Sequence, residues 1–255
     1  MIGVRAALPR RAALAGAAML LAGAGRPTVL AATPIARLDL PWWRERHEAV
    51  LARLRQGKVE LLWLGDSITQ DWERPEFRPV WDRFYGGRSA VNLGFVGDTT
   101  ANLLWRVGNG ELEDITPRAA VVLIGANNFG HVHWPAADTV AGIGAILDTL
   151  SRRLPIMQVL LLGILPCDRG PWVAEQTIVA NGALAARFGA TGSRVKFLDL
   201  THLFVHDGAL DHDLFLDPLK TPPRPALHPT AQGQHRIAEA IEPTLAAMLG
   251  DARRG

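Results

Sequence analysis

The chain has 255 residues, 48% of them hydrophobic, with 27 basic and 25 acidic side chains and a formal net charge of +2. That supplies the apolar material for one α/β domain of ordinary size and requires no second one. The first 32 residues hold Arg5, Arg10, Arg11 and Arg26 and no acid, which leaves 23 basic against 25 acidic residues in the rest, near −2, and excludes a globally basic nucleic-acid binder.

Cys167 is the only cysteine, so an internal disulfide and a cysteine metal cluster are both excluded. Residues 1–32 differ in kind from the remainder of the chain. Three arginines precede the apolar stretch Ala12 to Gly25, and Val29-Leu30-Ala31-Ala32 ends it with small residues suited to cleavage. This reads as an export signal that directs the protein to the periplasm or outside the cell, and the Arg10-Arg11 pair fits the twin-arginine route. The apolar stretch is shorter than the roughly 20 residues that a bilayer demands, so no membrane span is expected in the mature form. Residues 33–255 are expected to make one domain.

From Pro41 to Gln56, Trp43, His47, Val50, Leu51 and Leu54 recur at helical spacing. The apolar run from Glu60 then stops abruptly at Gly65-Asp66-Ser67, as a buried strand does when it turns into a helix capped by a small polar residue. An isolated Gly-Asp-Ser reads first as a helix cap. The same turn also places the Ser67 hydroxyl at a strand's carboxyl end beside a helix N-terminus, where open α/β sheets bind ligands and a developing oxyanion is favoured. The next loop carries Trp72, Pro75, Phe77, Pro79 and Trp81, which either line an acyl pocket or bury themselves against the domain.

Ala90 to Leu93 forms a second strand that ends in Gly94, and Thr99-Thr100 caps a helix through Leu103, Leu104 and Val107. A third strand, Ala119 to Ile124, runs into Gly125-Ala126-Asn127-Asn128. Ala137 to Arg153 is helical in period, Ile156 to Leu162 is a strand, Val173 to Phe188 a helix, and Val195 to Leu198 a fifth strand. Strands alternating with helices at this spacing imply right-handed crossovers and a five-stranded parallel sheet with helices on both faces. Periodicity is lost from His202 to Pro229. Thr230 to Met248 closes the chain as an amphipathic helix that Pro243 should kink or divide.

In a parallel sheet all carboxyl ends share one edge. A flavodoxin-like order 2-1-3-4-5 would therefore bring Ser67, Gly94 and Asn127 together. Ser67 Oγ could then attack a carbonyl carbon, while the Ser67 and Gly94 backbone N–H groups and the Asn127 side-chain amide stabilise the oxyanion, each donor worth about 3 kcal/mol. Serine needs a base. His228, just before the last helix, is the one histidine presented at the same edge.

These residues resemble the SGNH (GDSL) hydrolase family: Gly65-Asp66-Ser67, Gly94, Gly125-Ala126-Asn127 and His228 stand as its four blocks in order. The text Asn92-Leu-Gly-Phe-Val-Gly-Asp-Thr-Thr100, with Leu104-Trp105-Arg106 and Gly110-Glu111-Leu112, is similar to the catalytic α subunits of intracellular platelet-activating-factor acetylhydrolase and their bacterial esterase relatives. The resemblance implies a cofactor-free serine esterase acting on a small-molecule or glycan ester, acetyl esters first, with Ser67 as nucleophile, His228 as base, Gly94 and Asn127 in the oxyanion hole, and a homodimer as in many relatives.

One position departs from the pattern. The family places an aspartate three residues before the histidine, and here that position is Pro225. Asp217 could serve if Leu219 to Ala226 is an insertion, with Asp213 and Asp211 behind it, or a backbone carbonyl could hold His228. The departure keeps open a catalytically silent carbohydrate-binding or assembly module on the same fold. Within the enzymes, a thioesterase or lysophospholipase is the alternative. No metal is expected, because His131, His133, His202, His206 and His212 lack a ligand spacing.

Overall fold

A computed structural model describes residues 29–190 and 193–254 of the chain. The helix α1 (Pro41–Leu54) leads into β1 (Leu61–Gly65), followed by α2 (Ser67–Gln70), α3 (Arg78–Phe84), β2 (Ala90–Gly94), α4 (Thr100–Gly108) and β3 (Ala119–Leu123). Next come α5 (Ala126–Gly130), α6 (Ala136–Arg153), β4 (Gln158–Leu162), α7 (Pro171–Phe188) and β5 (Val195–Leu198). A short hairpin of β6 (Val205–His206) and β7 (Ala209–Leu210) precedes the last helix, α8 (Ala231–Leu249).

The five long strands form one parallel sheet in the order β2-β1-β3-β4-β5. Every residue of β1 and β3 is buried, as expected of central parallel strands covered on both faces. The chain moves one way from β1 to β2 and the other way from β2 onward. With right-handed crossovers that reversal places α4, α6 and α7, which pack on one another, on the face opposite α3 and α8. In register, Gly65 lies beside Gly94 on one side and Leu123 on the other, so the three strand ends expected at the site are neighbours.

The aromatic loop after α2 is core. Trp72, Phe77 and Trp81 are buried, and Trp63, Trp72, Trp81 and Tyr85 pack on one another in edge-to-face and tilted pairs. On the other side, the guanidinium of Arg106 is wholly buried between Asp98 and Glu111 and lies 3.9 Å from the Phe95 ring centroid. It also donates to the Gly65 carbonyl, so it ties the loop after β2 to the end of β1.

One expectation, that Pro243 would kink or divide the last helix, is corrected as to division: the helix runs unbroken from Ala231 to Leu249. The single backbone bond lost at the proline is outweighed by burial of Ile237, Ile241, Leu245 and Met248. The last residues of the expected leader lie within the described residues. Leu30–Ala32 form a 3₁₀ turn against α6 and α4, Ala31 is fully buried, and its carbonyl accepts the Thr100 hydroxyl at 2.8 Å. The rest of the expected leader, residues 1–28, lies outside the described residues.

Candidate active site

Ser67 opens α2, one residue beyond the Asp66 cap, whose carboxylate accepts the Ile68 N–H at 3.0 Å. The turn leaves the hydroxyl at the sheet's carboxyl edge, 3.0 Å from His228 Nε2. On the other side of the ring, His228 Nδ1 lies 3.0 and 3.1 Å from the two Asp217 oxygens. That pairing selects the tautomer with the proton on Nδ1, which leaves Nε2 free to accept from the serine.

The irregular segment before α8 makes this contact. Phe215 and Pro229 form an antiparallel bridge, with Leu216 N–H donating to the His228 carbonyl and Thr230 N–H to the Leu214 carbonyl, both at 2.7 Å. Residues 218–227 loop out between them. Asp217 therefore sits beside His228 although eleven positions separate them, and Pro225 lines the cavity instead of holding the ring. Asp213 and Asp211 lie elsewhere: the Asp211 carboxylate accepts the Asp213 N–H and faces Arg236.

Burial alone would raise the Asp217 carboxyl. Hydrogen bonds from Lys220 and the His228 backbone, joined by the His228 side chain, outweigh it and hold the group at about 2. It is thus a fixed anion at working pH, suited to stabilising an imidazolium. Asp66 is the opposite case: burial pushes its carboxyl up to about 7, only partly offset by the Ile68 N–H.

Asn127 is the second residue of the short α5 after β3. Its Nδ2 donates to the Asp98 carbonyl at 3.1 Å and reaches Asp66 at 3.4 Å, a distance too long for a strong bond. The carboxamide faces the same cavity as Ser67 and His228. Gly94 does not. Its N–H donates to Asn92 Oδ1 at 2.8 Å, so that amide is already committed, and a β-carbon there would overlap the Gln70 backbone nitrogen. Glycine at 94 is required by the close approach of α2, not by an approaching substrate.

The glycine that does line the cavity is Gly97, with φ at +73°, a conformation open to glycine at little cost. No described acceptor takes its N–H. The two glycines of Gly94-Phe95-Val96-Gly97 were the available signal. The register of Gly65 against Gly94 puts position 94 inside the sheet's hydrogen bonding and position 97 past it. The cavity encloses about 310 Å³ and is also lined by His131, Arg169 and Arg224, none of which sequence reasoning placed here.

A model of the GDSL-like lipase/acylhydrolase family matches residues 63–236. The human platelet-activating factor acetylhydrolase IB subunit alpha1 is 34% identical over 214 residues, covering 79% of this chain and 90% of its own. The rat alpha2 subunit is 32% identical over 210 residues, covering 81% and 85%. Among solved structures, a GDSL-like lipase from Bacteroides thetaiotaomicron superposes with a TM-score of 0.64 at 18% identity, covering 80% of this chain and 97% of its own. A carbohydrate esterase family 3 protein from Talaromyces cellulolyticus gives 0.59 at 20% identity, covering 76% and 99%.

Proposed function

The chain belongs to the GDSL-like lipase/acylhydrolase family, and from that premise we propose that it hydrolyses short-chain acyl esters, acetyl esters first, through an acyl-enzyme on Ser67. The observation that carries the reading is the continuous path from Ser67 Oγ to His228 Nε2 and from His228 Nδ1 to Asp217.

In the first step Ser67 Oγ bonds to the ester carbonyl carbon while its proton passes to His228 Nε2. The carbonyl oxygen becomes an oxyanion, received by the N–H groups of Ser67 and Gly97 and by Asn127 Nδ2. The imidazolium, stabilised by anionic Asp217, then protonates the departing alcohol oxygen as the bond from that oxygen to the acyl carbon breaks. Water enters, gives its proton to His228 and attacks the acyl carbon. Collapse of the second oxyanion releases the acid and returns the proton to Ser67.

The acetyl preference is supported by the modest cavity and by the acetylhydrolase names of the relatives about one-third identical. The contacts of Asp217 with His228 Nδ1 support the esterase over a silent binding module, whose motive was Pro225. Export is supported by the arginine pair and apolar stretch within residues 1–28. Among the described residues no helix is long and apolar enough to cross a membrane.

The test is covalent. A fluorophosphonate probe should label the folded protein at Ser67, and p-nitrophenyl acetate should give a burst of p-nitrophenol that Ser67→Ala abolishes. A folded wild type that neither reacts with the probe nor turns over any short acyl ester would rule the reading out.

A further inference from the structure

The cavity beside Ser67 holds a cation that the proposed reaction does not use. Arg169, in the loop between β4 and α7, lines it together with Ser67, Asn127 and His228. Its Nη1 atom is buried and has no hydrogen-bond partner among the described residues. Of the nearby acids, Asp168 is engaged with His212 and Asp217 with His228 and Lys220, while Asp66, which feels the Arg169 charge, is pushed up by burial and makes no ion pair with it, so the guanidinium is left without an ion pair among the described residues. A buried donor on a charged group is costly to leave unmet, more so than a neutral one.

The guanidinium lies against the glycine that ends α5, where a β-carbon at Gly130 would force it to shift. Arg224 brings a second guanidinium to the same cavity. His131 lines it too, and burial followed by the charges of Arg169 and Arg37 pushes that imidazole below its ordinary range. The cationic character facing the substrate therefore comes from the arginines, and Asp217, the one carboxylate on the described wall, is already matched by His228 and Lys220.

We propose that Arg169 is a specificity-determining residue that receives a carboxylate or phosphate carried on the alcohol side of the ester, so that the preferred substrates are acyl esters of anionic alcohols. The inference rests on the proposed Ser67 chemistry. An acetyl group is too small to bear a charge of its own, which assigns the anion to the alcohol. The planar guanidinium fork presents paired donors matched to either anion.

Three acetyl esters of similar size test it: 3-acetoxypropionate, 2-acetoxyethyl phosphate and the neutral 3-acetoxypropionamide. The wild type should favour a charged ester over the amide by about 10- to 100-fold in kcat/KM, the value of a charge-assisted hydrogen bond. The carboxylate and phosphate arms identify which anion is meant. Arg169→Ala should cut the charged-to-neutral ratio by about tenfold or more, leaving only what Arg224 supplies, and Arg169→Lys should restore part of it. Should Arg169→Ala fail to fold, Arg169→Gln supplies the same comparison with a neutral planar side chain.

A second readout avoids turnover. By calorimetry, Ser67→Ala protein should bind 3-acetoxypropionate or 2-acetoxyethyl phosphate at least about tenfold more tightly than the Ser67→Ala/Arg169→Ala double variant does. A wild-type ratio near one, or a ratio that Arg169→Ala leaves unchanged, overturns the assignment and makes the guanidinium a hydrated structural group. A protein that hydrolyses none of the esters and escapes fluorophosphonate labelling refutes the Ser67 chemistry instead, and the calorimetric comparison still decides Arg169.

Discussion

One oxygen of Asp217, Oδ2, accepts from both the backbone N–H of His228 at 2.6 Å and its Nδ1 at 3.0 Å. The same oxygen takes the Leu227 N–H at 3.0 Å. A single carboxylate thus shapes the loop that presents the histidine and orients the ring, which joins the local fold to the reaction.

Replacing Asp217 should act mainly on kcat. Asp217→Asn keeps the size but removes the charge that matches an imidazolium, and such losses run to roughly 10³–10⁴-fold. KM for p-nitrophenyl acetate should move far less than kcat, and steady-state kinetics at pH 7.5 would show the split. Because Asp217 is held at about 2, below its ordinary value, it adds stability that is fully present above about pH 4 and is lost as pH falls through 2. Acid unfolding followed by circular dichroism should accordingly be shallower between pH 4 and 2 in Asp217→Asn than in the wild type.

Gly97 and Gly94 should respond differently to alanine. At Gly97 the added carbon meets a positive φ and only the Arg37 guanidinium at 3.3 Å, so the fold survives while the amide shifts. A misplaced oxyanion donor should lower kcat by about 10- to 100-fold. At Gly94 the carbon collides with backbone of α2, so Gly94→Ala should register first as a fall in melting temperature. Equal losses of kcat with intact stability in both variants would return the oxyanion role to Gly94.

Asp66 predicts a pH dependence of stability of opposite sign to that of Asp217. Its folded pKa of about 7 stands above the ordinary 3.8, so the contribution is fully present below about pH 4 and is lost as pH rises through 7. Asp66→Asn retains an acceptor for the Ile68 N–H but cannot ionise. The difference in melting temperature between wild type and variant should therefore shift toward the variant from pH 4 to 8. A constant difference over that range would mean that Asp66 is not neutral in the folded protein at low pH.

The folded body starts upstream of residue 33. With Ala31 buried and its carbonyl bonded to Thr100, cleavage after Ala32 would remove a packed turn. Ala22 and Ala24 offer the small residues that a signal peptidase needs at an earlier position. Intact mass of exported protein should place the mature N-terminus between residues 25 and 29, and a terminus at residue 33 on stable protein would contradict the packing argument.

Much of the molecule was legible in the bare chain. Leu61 to Leu64 and Ala119 to Ile124 are unbroken apolar runs that end in Gly and polar residues, and burial of a parallel strand leaves that mark wherever it occurs. Alternation with helices then implied a parallel sheet, whose shared direction brings Ser67 and Asn127 to one edge, and a flavodoxin-like order, which the sheet has, makes their strands neighbours. Periodicity records burial, which is local, and so it reached that far. It says nothing about which polar atom a given amide or carboxylate will find, because that depends on the path of loops with no repeat. Only the tertiary structure carried Asp217 to His228 across a ten-residue excursion, committed the Gly94 N–H to Asn92 and left that of Gly97 open. It alone set the Arg169 guanidinium, unpaired among the described residues, against Gly130 in the wall of the same cavity.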